Sequence, residues 1–157
     1  MIKKIAFILG AVLSVSYFHA NADEGWIPYQ RGYRGAQNNE GDAKIVQAVR
    51  NQRRLDFVEG SGMVVTQLLQ DDKNGLQHQK WIVRLSSGAT MEAVYNLDMC
   101  KRVPLRVGDT VAMGGQFIWT NQGALLHWLH YDPRRNRPDG YVEVNGKVYC
   151  GEGDRPN

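Results

Sequence analysis

The residues best suited to chemistry in this chain form a block between His127 and Asp139. The block reads His-Trp-Leu-His-Tyr-Asp-Pro-Arg-Arg-Asn-Arg-Pro-Asp, which places two histidines, a tryptophan, two aspartates and three arginines in one short segment. An aspartate near a histidine can orient and charge the imidazole ring, and arginine binds phosphate or carboxylate through paired hydrogen bonds. Any specific activity of the protein is therefore expected in this block.

Strand alternation decides which of these side chains could act together. On a continuous strand, His130 and Asp132 share a face with Trp128, whereas His127 points the other way, as a hydrogen-bonded residue in or near the core. The pair could serve as general acid and base in phosphodiester chemistry, with neighbouring cationic side chains from Arg134, Arg135 and His78. A simpler interpretation, which we favour, is that Asp132-Pro133 ends the strand in an Asx-type turn.

A metal site in the block would use His127, His130 and Asp132, since imidazole and carboxylate ligands suit zinc or manganese. The two histidines lie on opposite faces of a regular strand, so we predict no metal and no cofactor. The chain also contains no Ser or Cys nucleophile motif, no phosphate-cradling glycine loop and no H-E-x-x-H sequence. An enzyme is therefore not the favoured interpretation.

The elements that must position this block are mostly strands. Alternating apolar and polar residues predict five strands, namely Phe57 to Leu69, one in which Trp81, Val83 and Leu85 face inward, Thr90 to Asn96, one with Val111, Met113, Phe117 and Trp119 on one face, and Ala124 to Tyr131. Gly60 and Gly62 predict a bend in the first strand. These features predict a mainly β fold, a small five-stranded OB-like barrel.

Two further elements flank the predicted barrel. Asp42 is expected to cap a helix from Ala43 to about Arg53, with a packed stripe of Ile45, Ala48, Val49 and Gln52. A C-terminal β-hairpin is expected from Tyr141 to Val144 and from Lys147 to Cys150, because Asn145-Gly146 is a strong hairpin turn signal.

An OB-like barrel suggests a different set of functional residues from the catalytic one. Such barrels bind oligonucleotides or oligosaccharides on the face of the second and third strands and in the adjoining loops. The residues predicted to bind ligand are His78, Lys80, Arg84, Trp128, His130, Asp132, Arg134 and Arg135. Trp81 and Trp119 are expected in the core, and the acidic pair Asp71-Asp72 near the mouth argues against tight polyanion binding.

Three functions remain open at this point. The leading hypothesis is a binding module for an oligomeric or anionic ligand, such as a nucleic acid, a glycan or an envelope component. The second is a phosphodiesterase or nuclease-like hydrolase that uses His130 and Asp132. The third is a structural partner that presents a strand edge. We expect a monomer in each case.

The N-terminal segment predicts export. Residues 1–22 carry two early lysines, an apolar stretch from Ile5 to Val15 and the small-x-small sequence Ala20-Asn21-Ala22, which is typical of a cleaved signal peptide. The formal net charge of +3 then falls to about +1 after loss of two lysines. We expect a periplasmic or secreted protein without a transmembrane segment, with an irregular arm over residues 23–41 and one domain over 42–157.

Cys100 and Cys150 are the two cysteines of the chain. In an exported protein they most simply form one disulfide. A reactive thiol or a metal ligand is the alternative, but suitable partner ligands are not spaced around either cysteine.

Several short motifs resemble a known family. They are His78-Gln79, Asn96-Leu97-Asp98, Gly108-Asp109-x-Val111 and His127-Trp128-x-His130-x-Asp132-Pro133, within roughly residues 56–149. They are similar to a group of small exported bacterial proteins that is defined only as a domain of unknown function. The resemblance implies export and an OB-like barrel, and it supplies neither an activity nor catalytic residues.

Overall fold

The computed structural model describes residues 41–72 and 75–156. The predicted signal peptide and nearly all of the predicted arm lie outside the described residues. The described part contains one α-helix, one short 3-10 helix (Glu152–Asp154) and seven strands. The α-helix and the strands are α1 (Ala43–Asn51), β1 (Leu55–Leu68), β2 (His78–Arg84), β3 (Thr90–Asn96), β4 (Thr110–Thr120), β5 (Gly123–His127), β6 (Tyr141–Val144) and β7 (Lys147–Tyr149). The predicted mainly β class is confirmed.

Five strands close into a barrel. The order is β1-β2-β3-β5-β4, and β4 pairs back onto β1. All pairs are antiparallel except β3 with β5. β1 can serve two partners because it bends: its register on β4 shifts between Gly60 and Met63, and Gly62 has a φ of 76°. The predicted OB-like barrel with a bent first strand is confirmed.

The barrel core follows the predicted alternation except at one tryptophan. Fully buried side chains on the inner faces include those of Trp81, Val83, Met113 and Phe117. Trp119, predicted to join them, is instead 38% exposed. β1 begins at Leu55, opposite Phe117, so Trp119 lies beyond the end of the pairing between β1 and β4.

Helix α1 packs on the barrel through Ile45, Val46 and Ala48. Two details of the helix prediction are wrong. Asp42 does not cap the helix with its side chain, because its buried carboxylate accepts hydrogen bonds from the backbone N–H and the hydroxyl of Ser86, at 2.7 and 2.5 Å. Gln52 is exposed and ends the helix in the left-handed conformation. Among the described residues, no helix is both long and apolar enough to cross a membrane.

The C-terminal hairpin extends the sheet beyond the barrel. β6 pairs with the first half of β4 and β7 pairs with β6. The turn uses Asn145 and Gly146, both at positive φ, as a two-residue hairpin turn requires. The predicted bridge between Cys100 and Cys150 is present, with a Cα–Cα separation of 5.6 Å. It joins the hairpin end to the connection between β3 and β4.

Candidate functional site

The histidine-rich block does not continue β5 as a strand. β5 ends at His127, four residues before the predicted end, and Trp128 adopts a φ of 60°. Two glycines make room for this change of direction. A Cβ atom on Gly115 would overlap the carbonyl oxygen of His127, and one on Gly140 would overlap that of Trp128. The strand alternation used to sort the block therefore stops at His127.

Asp132 organises the loop that follows. Its buried carboxylate accepts backbone N–H groups of Arg134, Asn136 and Arg137 at 3.3, 2.7 and 3.1 Å. Burial alone would raise the pKa of Asp132, but these N–H donors and the charge of Arg137 hold it below its usual value. The backbone N–H of Asp132 donates to Asp139 at 2.6 Å. The predicted Asx-type turn at Asp132 is therefore present, but it does not end the strand, because β5 already ends at His127.

His130 lies beside Asp132 in the chain but does not form a hydrogen-bonded pair with it. The ring is buried, and Nδ1 lies 2.7 Å from the carbonyl oxygen of Tyr131. A carbonyl only accepts, so Nδ1 carries the proton and Nε2 keeps a lone pair. Burial is the main cause that lowers the pKa of His130, although this hydrogen bond opposes it. The dyad geometry expected for His130 and Asp132 is absent from the described residues.

The indole ring of Trp128 contacts both Arg137 and His130. The guanidinium carbon of Arg137 lies 4.3 Å from the centre of the indole ring, within cation–π range. The ring of His130 lies 4.6 Å from the same tryptophan, centre to centre. Arg137 thus covers one face of the indole, so Trp128 holds a cation in place and that face is closed to a stacking base or sugar.

His127 is held by a chain of polar groups that begins at Gln116, its cross-strand partner on β4. Its Nε2 lies 2.7 Å from Oε1 of Gln116, while Nε2 of Gln116 donates to Asp56 at 3.4 Å and Nε of Arg54 donates to the same carboxylate at 3.3 Å. The carboxylate cannot donate, so the amide NH₂ of Gln116 must face it. Gln116 Oε1 therefore receives the proton of His127 Nε2, which leaves the lone pair on Nδ1.

Four other side chains interact electrostatically with His127. Burial is the main cause that lowers the pKa of His127, and the positive charges of Arg54 and Arg137 lower it further, followed by smaller electrostatic contributions from His130 and His78. We call these five residues the His127 corner. Sequence reasoning missed Arg54 and Arg137, since neither lies on the predicted face and only the fold brings Arg54 next to β5.

The predicted β2 residues lie on the outer face of the barrel. His78, Lys80 and Arg84 alternate with buried residues along the strand. Lys80 is opposite Val94 on β3, and Ala93 is opposite Leu126 on β5. The outward row after Lys80 and Val94 therefore continues at His127. Arg84 is opposite Thr90, at the far end of the face, and does not join the His127 corner.

Both carboxylates of the acidic pair Asp71-Asp72 have positively charged or hydrogen-bonding partners. Asp72 Oδ1 lies 3.1 Å from Nδ1 of His78, and its other oxygen lies 3.8 Å from Nζ of Lys80. Burial alone would raise the pKa of Asp72, but His78 and then Lys80 hold it below its usual value. Asp71 forms an ion pair with Arg102. These contacts offset the local negative charge that argued against an anionic ligand.

The remaining predicted ligand-binding residues are Arg134 and Arg135, which are exposed and lie in the loop that Asp132 holds. Arg135 has a φ of 56°, and its N–H donates to the carbonyl of Asp132. Within residues 41–72 and 75–156, no three His, Cys, Asp or Glu side chains are grouped to hold a metal ion.

A C-terminal strap, residues 150–155, fixes the loop from behind. Cys150 accepts the N–H of Tyr131 at 2.7 Å and donates its own N–H to Asp154 at 2.5 Å. Arg155 donates to Asp139 at 2.5 Å, the carboxylate that receives the N–H of Asp132. The disulfide, the strap and the loop are therefore one connected hydrogen-bonded unit.

Strand order, closure and the outer-face cluster define this chain as a small OB-like barrel with a cationic and aromatic site at one end. It belongs to the family described as "Protein of unknown function (DUF3465)", which it matches over residues 32–150. A search of the curated proteins finds no match to the chain.

Proposed function

We propose that this protein is an exported binding module for an anionic oligomeric ligand, such as a nucleic acid, an acidic glycan or an envelope component. The signal-peptide pattern of residues 1–22 supports export. The Cys100–Cys150 bridge is consistent with it, because disulfides persist in oxidising compartments such as the periplasm or the cell exterior.

The observation that carries the proposal is the imbalance of charge at the His127 corner. The nearby carboxylates already have partners: backbone N–H groups bind Asp132, Arg155 binds Asp139, and Arg54 and Gln116 bind Asp56. Arg137 forms no ion pair within the described residues and is fixed by the Trp128 ring. A fixed guanidinium beside neutral histidines suits a phosphate, sulfate or carboxylate group.

The arrangement also suits an extended ligand. The outward row from Lys80 through Val94 to His127 crosses the strands on the side of the barrel that OB folds use for oligomers. Successive anionic groups of one chain could contact Lys80 and Arg137. Exposed arginines at 134 and 135 would add long-range attraction that weakens with salt.

Direct titration tests this function. Labelled single-stranded DNA, a sulfated oligosaccharide and a neutral oligosaccharide are titrated with the protein at two salt concentrations. We expect an anionic probe to bind and to weaken as salt rises. Arg137→Ala should reduce the slope of log K against log salt by about 1. Binding only to the neutral probe, or to none, would overturn the proposal.

Arg106→Ala is the matched control for Arg137→Ala. Arg106 is an exposed arginine that precedes β4, whereas the His127 corner lies near Gln116 on the same strand. At about 3.4 Å per residue the two positions are roughly 20 Å apart or more. An equal loss of affinity in both variants would show that only net charge matters.

The second candidate is a phosphodiesterase or nuclease-like hydrolase. Its support is that the ring of His130 keeps a lone pair on Nε2 and that of His127 keeps one on Nδ1, so either could accept a proton. The test measures hydrolysis of single-stranded DNA and of a small phosphodiester, with and without EDTA. Turnover that disappears in His130→Ala would favour this candidate over simple binding.

A further inference from the structure

The C-terminal strap connects the disulfide to the loop that carries Arg137. Arg155, at the end of the strap, donates to one oxygen of the Asp139 carboxylate at 2.5 Å. The other oxygen of that carboxylate accepts the backbone N–H of Asp132 at 2.6 Å. Arg137 lies between these two aspartates in the chain. The position of the Arg137 guanidinium on the barrel therefore depends on where the strap is held.

Cys150 begins the strap in a backbone conformation that a cysteine rarely adopts. Its φ is 59°, in the left-handed region, where the Cβ atom of an L-residue crowds the following carbonyl. In this conformation its N–H donates to Asp154 at 2.5 Å and its carbonyl accepts the N–H of Tyr131 at 2.7 Å. The angle φ sets the direction of the N–H relative to that of the carbonyl. A return of Cys150 to negative φ would therefore break at least one of these two hydrogen bonds.

A small thiol can reach the disulfide from one side. A cleft of about 330 Å³ is lined by residues that include both cysteines, Lys101 and Lys147. Cys150 is 1% exposed, whereas Cys100 is partly exposed, so Cys100 is the more accessible of the two. Positive charges favour a thiolate over a thiol. The two lysines therefore suit an anionic thiol as reductant and the cysteine thiolate that it displaces.

We propose that the Cys100–Cys150 disulfide is a redox switch for the His127 corner and that a small anionic thiol reduces it. This inference rests on the proposed function and adds the regulation of the same site. In the oxidised protein, the strap fixes the loop and keeps Arg137 on the ring of Trp128. Reduction frees Cys150 from its left-handed conformation, releases the strap and lowers the affinity for an anionic ligand.

The reaction consumes two small thiols. The thiolate of the first attacks Sγ of Cys100, the S–S bond breaks, and Cys150 leaves as a thiolate that takes up the proton lost by the thiol. The thiolate of the second attacks the small-thiol sulfur of this mixed disulfide, and Cys100 leaves and is protonated in the same way. Two thiols are oxidised to one small disulfide, and the protein disulfide is reduced by two electrons. Because Cys150 is free after the first step, the mixed disulfide is already the released form.

Titration of labelled single-stranded DNA in glutathione redox buffers tests the switch. The affinity and the number of free protein thiols are measured together at each ratio of reduced to oxidised glutathione. We expect the affinity to fall about tenfold on reduction, because the ligand must then immobilise Arg137 and its loop, and to follow the thiol count. The double variant Cys100→Ser with Cys150→Ser should bind as weakly as the reduced protein and should not respond to glutathione.

Arg155→Met separates the switch from a general loss of stability, because it keeps the disulfide and removes only the link from the strap to Asp139. In oxidising buffer we expect it to bind about as weakly as the reduced parent. Arg106→Met, the same change at an exposed arginine outside the strap, should bind like the oxidised parent.

The outcomes distinguish this inference from the function on which it rests. Equal affinity of the parent in the two redox states, or full affinity of Arg155→Met, would overturn the switch alone. A reduced protein that loses its β signal in circular dichroism would also overturn it, since the switch requires a folded barrel. An oxidised parent that does not bind the DNA or a sulfated oligosaccharide would overturn the proposed function itself.

Discussion

Two histidine–aspartate pairs within the described residues behave oppositely. On the half-buried outer face, His78 and Asp72 are hydrogen-bonded through both the ring and the backbone of the histidine. In the buried block after β5, His130 and Asp132 are nearer in sequence and make no such bond: the histidine binds a carbonyl and the aspartate binds backbone N–H groups. Proximity in sequence did not decide which pair forms.

Burial explains the difference. A backbone N–H that loses water must find a partner inside the protein, and the turn after Asp132 contains several that no strand can satisfy. The carboxylate is the acceptor within reach, so it serves the backbone before it serves a side chain. The half-buried carboxylate of Asp72 accepts one backbone N–H, that of His78, so it also has room for the His78 ring and for Lys80.

The largest effect in this comparison is expected from removal of the Cys100–Cys150 disulfide, which supports the buried block. Cys150→Ser opens a cross-link between positions 50 apart, worth up to about 4 kcal/mol in the chain-entropy treatment. We expect Tm to fall by about 10 °C, with faster amide exchange at residues 131–139 than on β2 and β3. Cys100→Ser should give the same result. Free thiols in the protein isolated from its native compartment would contradict the expectation.

The two aspartates can be compared directly by matched substitutions. Asp132→Ala removes the buried carboxylate that accepts three backbone N–H groups of an exposed turn, whereas Asp72→Ala removes one half-buried partner of His78. We expect Tm to fall by about 5 °C or more in the first variant and by about 1 °C or less in the second. Thermal unfolding followed by circular dichroism measures both. Similar losses would mean that burial is not the deciding factor.

As the pH falls, the histidines His127 and His130 should lower the stability of the fold before the aspartates do. The pKa values of His127 and His130 are lowered in the fold, so the unfolded chain takes up protons first as pH falls below about 6.5. Stability contributed by the neutral rings is present above that pH and is lost below it.

The lowered pKa values of Asp72 and Asp132 act in the same direction but only below about pH 4, where unfolded carboxylates protonate. Tm is therefore expected to fall in two stages, between pH 7 and 5 and again below pH 4. The double change His127→Gln with His130→Gln should flatten the first stage alone. A Tm that rises from pH 7 to pH 5 would contradict the histidine assignment.

The smallest expected effect concerns which ring nitrogen carries the proton in His127 and in His130. Nitrogen-15 NMR at pH 7.5 should find His127 protonated on Nε2 and His130 protonated on Nδ1, because one faces the oxygen of Gln116 and the other a carbonyl. Gln116→Met should remove the preference of His127 for a proton on Nε2 and should leave the tautomer of His130 unchanged. We expect a Tm change of about 1 °C or less. The reverse tautomers would mean that the amide of Gln116 is turned around.

Local signals were sufficient for much of the fold. The bounds of β3, the bend at Gly62 and the Asn145-Gly146 turn were predicted because each depends on residues within a few positions. The pairing of Cys100 with Cys150 followed from the count of cysteines in an exported chain. Trp119 was assigned wrongly because its exposure depends on where a distant strand, β1, begins.

The candidate site was harder to predict for the same reason. Strand alternation was extended through Trp128, but the positive φ there and the close approach of Gly115 and Gly140 end the strand. Arg54 reaches His127 only through the pairing of β1 with β4, sixty positions apart in sequence at Asp56 and Gln116. Asp42 was placed as a cap because a helix start is a local pattern, while its actual partner Ser86 is remote.

The way Asp132 holds its loop has an evolutionary consequence. The carboxylate binds main-chain N–H groups only, and every residue type except proline offers one. The shape of the loop therefore does not depend on the side chains at positions 134, 136 and 137, which can diverge without loss of the turn. Relatives could alter ligand preference by exchanging these side chains on an unchanged scaffold, and a protein engineer could randomise the same three positions.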